Sequence, residues 1–189
     1  IEGTYYTDVN PRRDQIAPFS SRGPVIWNGG QNKLFKPDIT APGVHICAAK
    51  AGVIPEGSSY ACAENHLSLS GTSMATPHVA GAAALLLDAH PDWTPREVKN
   101  ALLQSALNLN NPATEQPYAR TDQGYGRLQA LSAVLLSPAP LIAELETDGV
   151  LSSTSAAIIG SASGPGYSGY VLEARRTGDA NWFLLGQSS

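Results

Sequence analysis

Apolar residues crowd one stretch of the chain. From Ser73 to about His90, Met74, Ala75, Val79, Ala80 and every position from Ala82 to Leu87 are apolar, leaving almost no polar face. A helix apolar on all sides must be buried, so the pattern predicts a central helix. Pro77 falls in its first turn or so, where the lost N–H would be unpaired in any case, and marks a start rather than a break. Thr94-Pro95-Arg96-Glu97 announces a second helix: Thr94 caps it, Pro95 takes the first helical position and Glu97 closes a capping box. Its buried stripe is Val98, Ala101, Leu102 and Ala106. A third helix is expected from about Arg127 to Leu136, after Gly124-Tyr125-Gly126.

Ahead of the first helix the apolar segments are short and broken by Pro, Gly, Asn and Asp. Thr4 to Thr7, Val25 to Trp27 and Val44 to Cys47 read as strands, and Leu67 to Ser70 alternates like a strand running straight into the helix. Residues 50 to 66 are irregular. Ser137-Pro138-Ala139-Pro140 stops the third helix and marks a boundary, dividing the chain into residues 1–137 and 138–189. Beyond it, Leu141 to Glu146, Ala156 to Ile159, Tyr170 to Ala174 and Trp182 to Leu185 read as strands separated by Gly-rich turns. Four strands are too few for a complete sandwich, and the last is expected to lack a partner, so the C-terminus reads as a cut.

Composition narrows the class. Of 189 residues, 42% are apolar and 15% charged, which excludes a disordered chain. A net charge of −4 supplies no basic field for nucleic acid or anionic lipid. The densest apolar run, Val79 to Leu87, falls well short of the roughly 20 residues of a spanning helix, so no membrane span is expected. Ile1-Glu2-Gly3-Thr4 carries neither an initiating Met nor a signal core, so any targeting segment is expected outside the chain.

The chemistry concentrates in Gly71-Thr72-Ser73-Met74-Ala75-Thr76-Pro77-His78-Val79-Ala80-Gly81. A strand enters a tight turn at Gly71, and Ser73 stands where an apolar helix begins. The unpaired N–H groups of a helix N-terminus suit negative charge developing beside a nucleophile. With Phe19-Ser20-Ser21-Arg22-Gly23-Pro24 and Lys36-Pro37-Asp38-Ile39-Thr40-Ala41-Pro42-Gly43, this segment resembles the C-terminal half of the subtilisin-like serine protease (subtilase) catalytic domain over roughly residues 1 to 136. The resemblance implies an α/β fold with a doubly wound, mostly parallel sheet, present here as its C-terminal half.

It also implies a secreted serine endopeptidase with Ser73 as nucleophile, the Ser73 backbone N–H in the oxyanion hole, and Thr72 and Met74 flanking the substrate. The family's Asp block, His block and oxyanion Asn do not occur in this sequence; they precede Ser in the family and are expected in a missing upstream half. That half and a protein or peptide substrate are the partners implied. No organic cofactor is implied. Residues 158 to 182 resemble, more weakly, the opening of β-sandwich modules attached to large secreted bacterial proteins. The rival reading is a non-catalytic subtilase-like remnant acting through this β module.

Other candidates carry less. His78 lies five residues after Ser73, about 140° around a helix from it, and reads as structural. His45, His66 and His90 are assigned no catalytic work. Ser59, in Gly57-Ser58-Ser59-Tyr60-Ala61, fits a loose nucleophile pattern but no helix follows it. Asp38 reads as a turn residue bonding nearby backbone N–H groups. Asp8, Asn10 and Asp14 cluster oxygen ligands, but Asx residues in a turn usually serve the backbone, so no metal site is assigned. In a secreted protein Cys47 and Cys62 would form a bridge limiting the loop between them.

Overall fold

The computed structural model describes residues 14–27, 32–52, 61–137, 139–146, 158–176 and 179–188. Thr4 to Thr7, Asp8, Asn10 and Ser59 lie outside them. Two short strands, β1 (Val25–Trp27) and β2 (Asn32–Leu34), pair antiparallel. Next comes a three-stranded sheet in which β3 (Ile46–Ala49) and β4 (Ala61–Ala63) flank β5 (His66–Leu69). The expected strand at Val44 begins two residues later. His45 adopts φ 53°, outside the extended region, and breaks the run there.

Helix α1 spans Thr72–Ala89 and α2 spans Pro95–Gln104. In α2 the capping box forms: Thr94 accepts from the Glu97 N–H, and the Glu97 carboxylate accepts from the Thr94 N–H at 2.7 Å. A four-residue helix that the pattern did not show, α3 (Arg120–Gln123), ends at Gly124, whose φ of 61° favours glycine. A side chain at Gly124 would also drive into the Asp38 carbonyl oxygen, 2.3 Å from the added carbon.

The third expected helix is shorter than its pattern, since α4 covers only Ala130–Val134. Backbone pairing claims its intended start. Arg127 and Leu107 exchange both N–H···O bonds, and the Leu128 N–H donates to the Thr40 carbonyl at 2.8 Å. The core is the junction of α1, α2 and α4: Ala82, Leu86, Val98, Ala101, Leu102 and Ala133 are buried, with Val79, Trp93 and Leu136 packed around them. His90, at the end of α1, stacks on Trp93 with ring centroids 3.9 Å apart and donates from Nε2 to the Val134 carbonyl at 2.8 Å.

One expectation needs correction, and another is met only in part. The central helix is not enclosed: Leu86 is fully buried, but Leu85 is 57% and Leu87 45% exposed. Among the described residues α1 packs against α2 and α4 through Ala82 and Leu86, which leaves these two leucines exposed. The fold is α/β in content, yet no doubly wound parallel sheet occurs among the described residues. Every pairing of named strands is antiparallel, and the Thr40–Arg127 bridge is isolated. A parallel sheet requires crossover partners, and the strands here pair with close neighbours in sequence instead.

The C-terminal part consists of two hairpins, β6 (Ile142–Glu146) with β7 (Ile159–Ser163) and β8 (Tyr170–Ala174) with β9 (Phe183–Ser188). The last strand therefore does have a partner, contrary to expectation. Ile142 is buried, and Gln104 of α2 donates from Nε2 to the Leu141 carbonyl at 3.0 Å.

Candidate active site

The turn leading into α1 is built from backbone contacts. The Gly71 N–H donates to the Gly43 carbonyl at 2.7 Å, and the His45 N–H donates to Ser70 Oγ at 2.8 Å. These bonds bring the Ala41-Pro42-Gly43 segment against the end of β5. Gly43 permits the approach: a Cβ there would sit 2.8 Å from the Gly71 carbonyl oxygen and 3.3 Å from Ala75 Cβ. The same carbonyl of Gly71 accepts from the Met74 N–H at 3.0 Å, which starts the helix.

Ser73 is the second residue of α1 and is exposed. Among the described residues, neither its N–H nor its Oγ has a hydrogen-bond partner. Gly71 precedes the helix without a side-chain cap, and the first turn carries no acidic residue. Among the described residues the helix end therefore keeps its partial positive charge and an N–H beside a hydroxyl with no partner, the arrangement that stabilises an oxyanion forming on an adjacent carbonyl.

A cleft of about 380 Å³ opens beside this turn, lined among others by Gly71, Thr72, Ala75, Pro42, Gly43 and Ile16, with Ser73 itself outside the lining. Thr72 lines it; Met74 does not, being half-buried with Sδ on the Gly71 side of the helix. Thr72 also accepts, through its carbonyl, a bond from Thr76 Oγ1 at 3.0 Å.

No histidine hydrogen-bonds Ser73 among the described residues. His78 donates from Nδ1 to the Met74 carbonyl at 2.9 Å and is held along its own helix. His66 is tied by Nδ1 to the Glu64 carbonyl. Asp38 departs from its expected role: its carboxylate pairs with Lys36 and with Lys99 at 3.7 Å, rather than with backbone N–H groups. The reason is local charge, since two ammonium groups compete with neutral amides for one carboxylate. Asp14 pairs with Arg127, and no cluster of metal-ligating groups occurs among the described residues. The Cys47–Cys62 disulfide is formed, with Cα atoms 6.0 Å apart.

The sequence pattern missed the support beneath the cleft. Gln123 is 1% exposed, accepts from the Leu109 N–H at 2.7 Å, and donates to the carbonyls of Tyr118 at 2.7 Å and Leu109 at 3.3 Å. It thereby holds the segment that places Leu109 in the cleft wall. A lone glutamine in a polar stretch gives no periodic signal.

The model of the subtilase family matches residues 7–126, spanning the Ser73 turn and both supporting motifs. This chain belongs to the subtilase family. Subtilisin-like protease SBT4.3 of Arabidopsis thaliana is 40% identical to it over 153 residues, covering 76% of this chain and 19% of the relative. The CO(2)-response secreted protease of the same plant is 37% identical over 146 residues, covering 70% of this chain and 18% of the relative. Fervidolysin from Fervidobacterium pennivorans, a keratinolytic enzyme related to subtilisin, aligns over 54% of this chain and 16% of its own with 25% identity and a TM-score of 0.41. This subtilase chain thus spans under a fifth of the length of these relatives. No helix among the described residues is long and apolar enough to cross a membrane.

Proposed function

We propose that this chain is the nucleophile-bearing part of a subtilisin-like serine endopeptidase, with Ser73 as the residue that is acylated. The observation that carries the reading is an exposed hydroxyl and an unpaired N–H together at the start of α1, within the family's match. Ser73 Oγ attacks the scissile carbonyl, a histidine takes its proton, an aspartate orients that histidine, and the Ser73 N–H donates to the oxyanion. Thr72, in the cleft wall, flanks the bound peptide, while Met74, outside that wall, packs beside the Gly71 turn.

The histidine, the aspartate and the second oxyanion donor come from a segment outside these 189 residues. Two observations support this: among the described residues no histidine hydrogen-bonds Ser73, and α1 leaves Leu85 and Leu87 exposed. The absent segment covers these leucines and supplies the parallel strands of the doubly wound sheet. Residues 1–137 are then the C-terminal part of the catalytic domain, and 138–189 a linker with the first hairpins of a β-rich unit. Resemblance to a secreted relative and the formed disulfide support a location outside the cell.

The test is peptide hydrolysis by the chain alone and joined to a segment carrying the family's Asp and His blocks. The chain alone is expected to show no turnover, because a serine without its base is a weak nucleophile at neutral pH. The joined protein is expected to cleave. Efficient turnover by the isolated chain that vanishes in Ser73→Ala would show that a group within the chain serves as the base.

A further inference from the structure

The sheet ahead of Ser73 holds a feature that proteolysis itself does not use. In the order β3-β5-β4, β5 is the central strand, and its end runs through Ser70 and Gly71 into α1. Cys47 of β3 stands opposite Ser68 of β5. Cys62 of β4 lies between Ala61 and Ala63, where pairing with β5 shifts register. The disulfide thus joins the two outer strands across the strand that delivers the nucleophile. The segment entering β3 also makes the two bonds that build the turn, from Gly71 to Gly43 and from His45 to Ser70.

We propose that Cys47 and Cys62 are positioning residues for Ser73, their bridge clamping β3 and β4 about β5 so that the Gly71 turn is fixed, and that this clamp is opened by thiol reductants. A three-residue strand with irregular pairing is a weak edge by itself, so the bridge and not the ladder fixes β4. Both cysteines are exposed and open to a small dithiol. One thiolate of the dithiol attacks a cysteine sulfur, breaking the S–S bond and forming a mixed disulfide. Its second thiolate closes the dithiol's own disulfide, and Cys47 and Cys62 leave as thiols after taking up two protons. The dithiol is oxidised by two electrons and the clamp reduced by two. The consequence for catalysis rests on Ser73 being the nucleophile; the clamp itself does not.

The experiment is amide hydrogen exchange by NMR on the 189-residue chain, oxidised, reduced with dithiothreitol, and as the Cys47→Ser/Cys62→Ser variant. In the reduced protein and the variant, the Gly71 and His45 amides are expected to exchange about tenfold faster or more, and the Ser73 amide resonance to shift. The Ala101 and Leu102 amides of α2 keep their protection. Unchanged exchange at Gly71 and His45 would overturn the proposal. So would an equal loss of protection in α2, which would make the bridge a brace for the whole chain. If the double variant does not fold, the reduced wild-type chain gives the reading by itself. Failure of Ser73 to act as nucleophile leaves these amide results standing.

Discussion

Ser73 and His78 show how five residues of helix separate two roles. The serine keeps its hydroxyl and N–H free at the helix start, while the histidine spends Nδ1 on the Met74 carbonyl. That division was legible from helical geometry alone, because about 100° per residue turns His78 away. Gln123 was not legible, since its importance lies in three backbone groups brought to it by the fold. Replacing it by leucine leaves the Leu109 N–H and the Tyr118 carbonyl unpaired in a buried site, and is expected to cost about 1–3 kcal/mol. Urea unfolding of Gln123→Leu checks this; a midpoint equal to wild type would show that water replaces the lost partners. Leu86→Ala, at a fully buried position of α1, is expected to destabilise by about 2–5 kcal/mol in the same assay.

Among the elements, α2 was the most readable because its signals are local. Thr94 and Glu97 form the capping box that their spacing announces, with Pro95 at the first helical position. The bonds from the Thr94 backbone N–H, and then from its hydroxyl, hold the Glu97 carboxyl below its ordinary value of 4.5. A depressed folded-state value means the cap stabilises the chain fully above the ordinary value and loses that stabilisation as pH falls through the lower one. Wild-type chain is therefore expected to lose stability on acidification below about pH 4.5, and Glu97→Gln to show a flatter pH profile in thermal unfolding. Superimposable profiles would show that other carboxyls govern the acid limb. Thr94→Ala is expected to cost about 1 kcal/mol.

Elements whose limits depend on distant partners were read less well. The start of α4 is lost to pairing of Arg127 with Leu107, and β7 continues through Gly160, Ser161 and Ser163, residues with little intrinsic preference for a strand. Only the facing strand β6 makes them one.

At the scale of the whole molecule, the family was legible from three motifs, and the match to residues 7–126 bears it out. Its sheet was not, because a parallel sheet is a property of strands far apart in sequence, and the strands described here pair with near neighbours. The same reasoning explains α1. Its composition describes a helix enclosed on all sides, while among the described residues it packs against α2 and α4 through Ala82 and Leu86 and leaves Leu85 and Leu87 exposed. Sequence pattern reports the environment a helix is suited to, and the fold reports the environment this chain supplies.

The proposed role of this chain turns on acylation at the hydroxyl of Ser73. Fluorophosphonate labelling of the chain joined to the Asp- and His-bearing segment, followed by peptide mapping, tests it most directly. A single adduct on Ser73 is expected, and it disappears, together with hydrolysis, in Ser73→Ala. An adduct on another serine, or hydrolysis surviving that substitution, would contradict it.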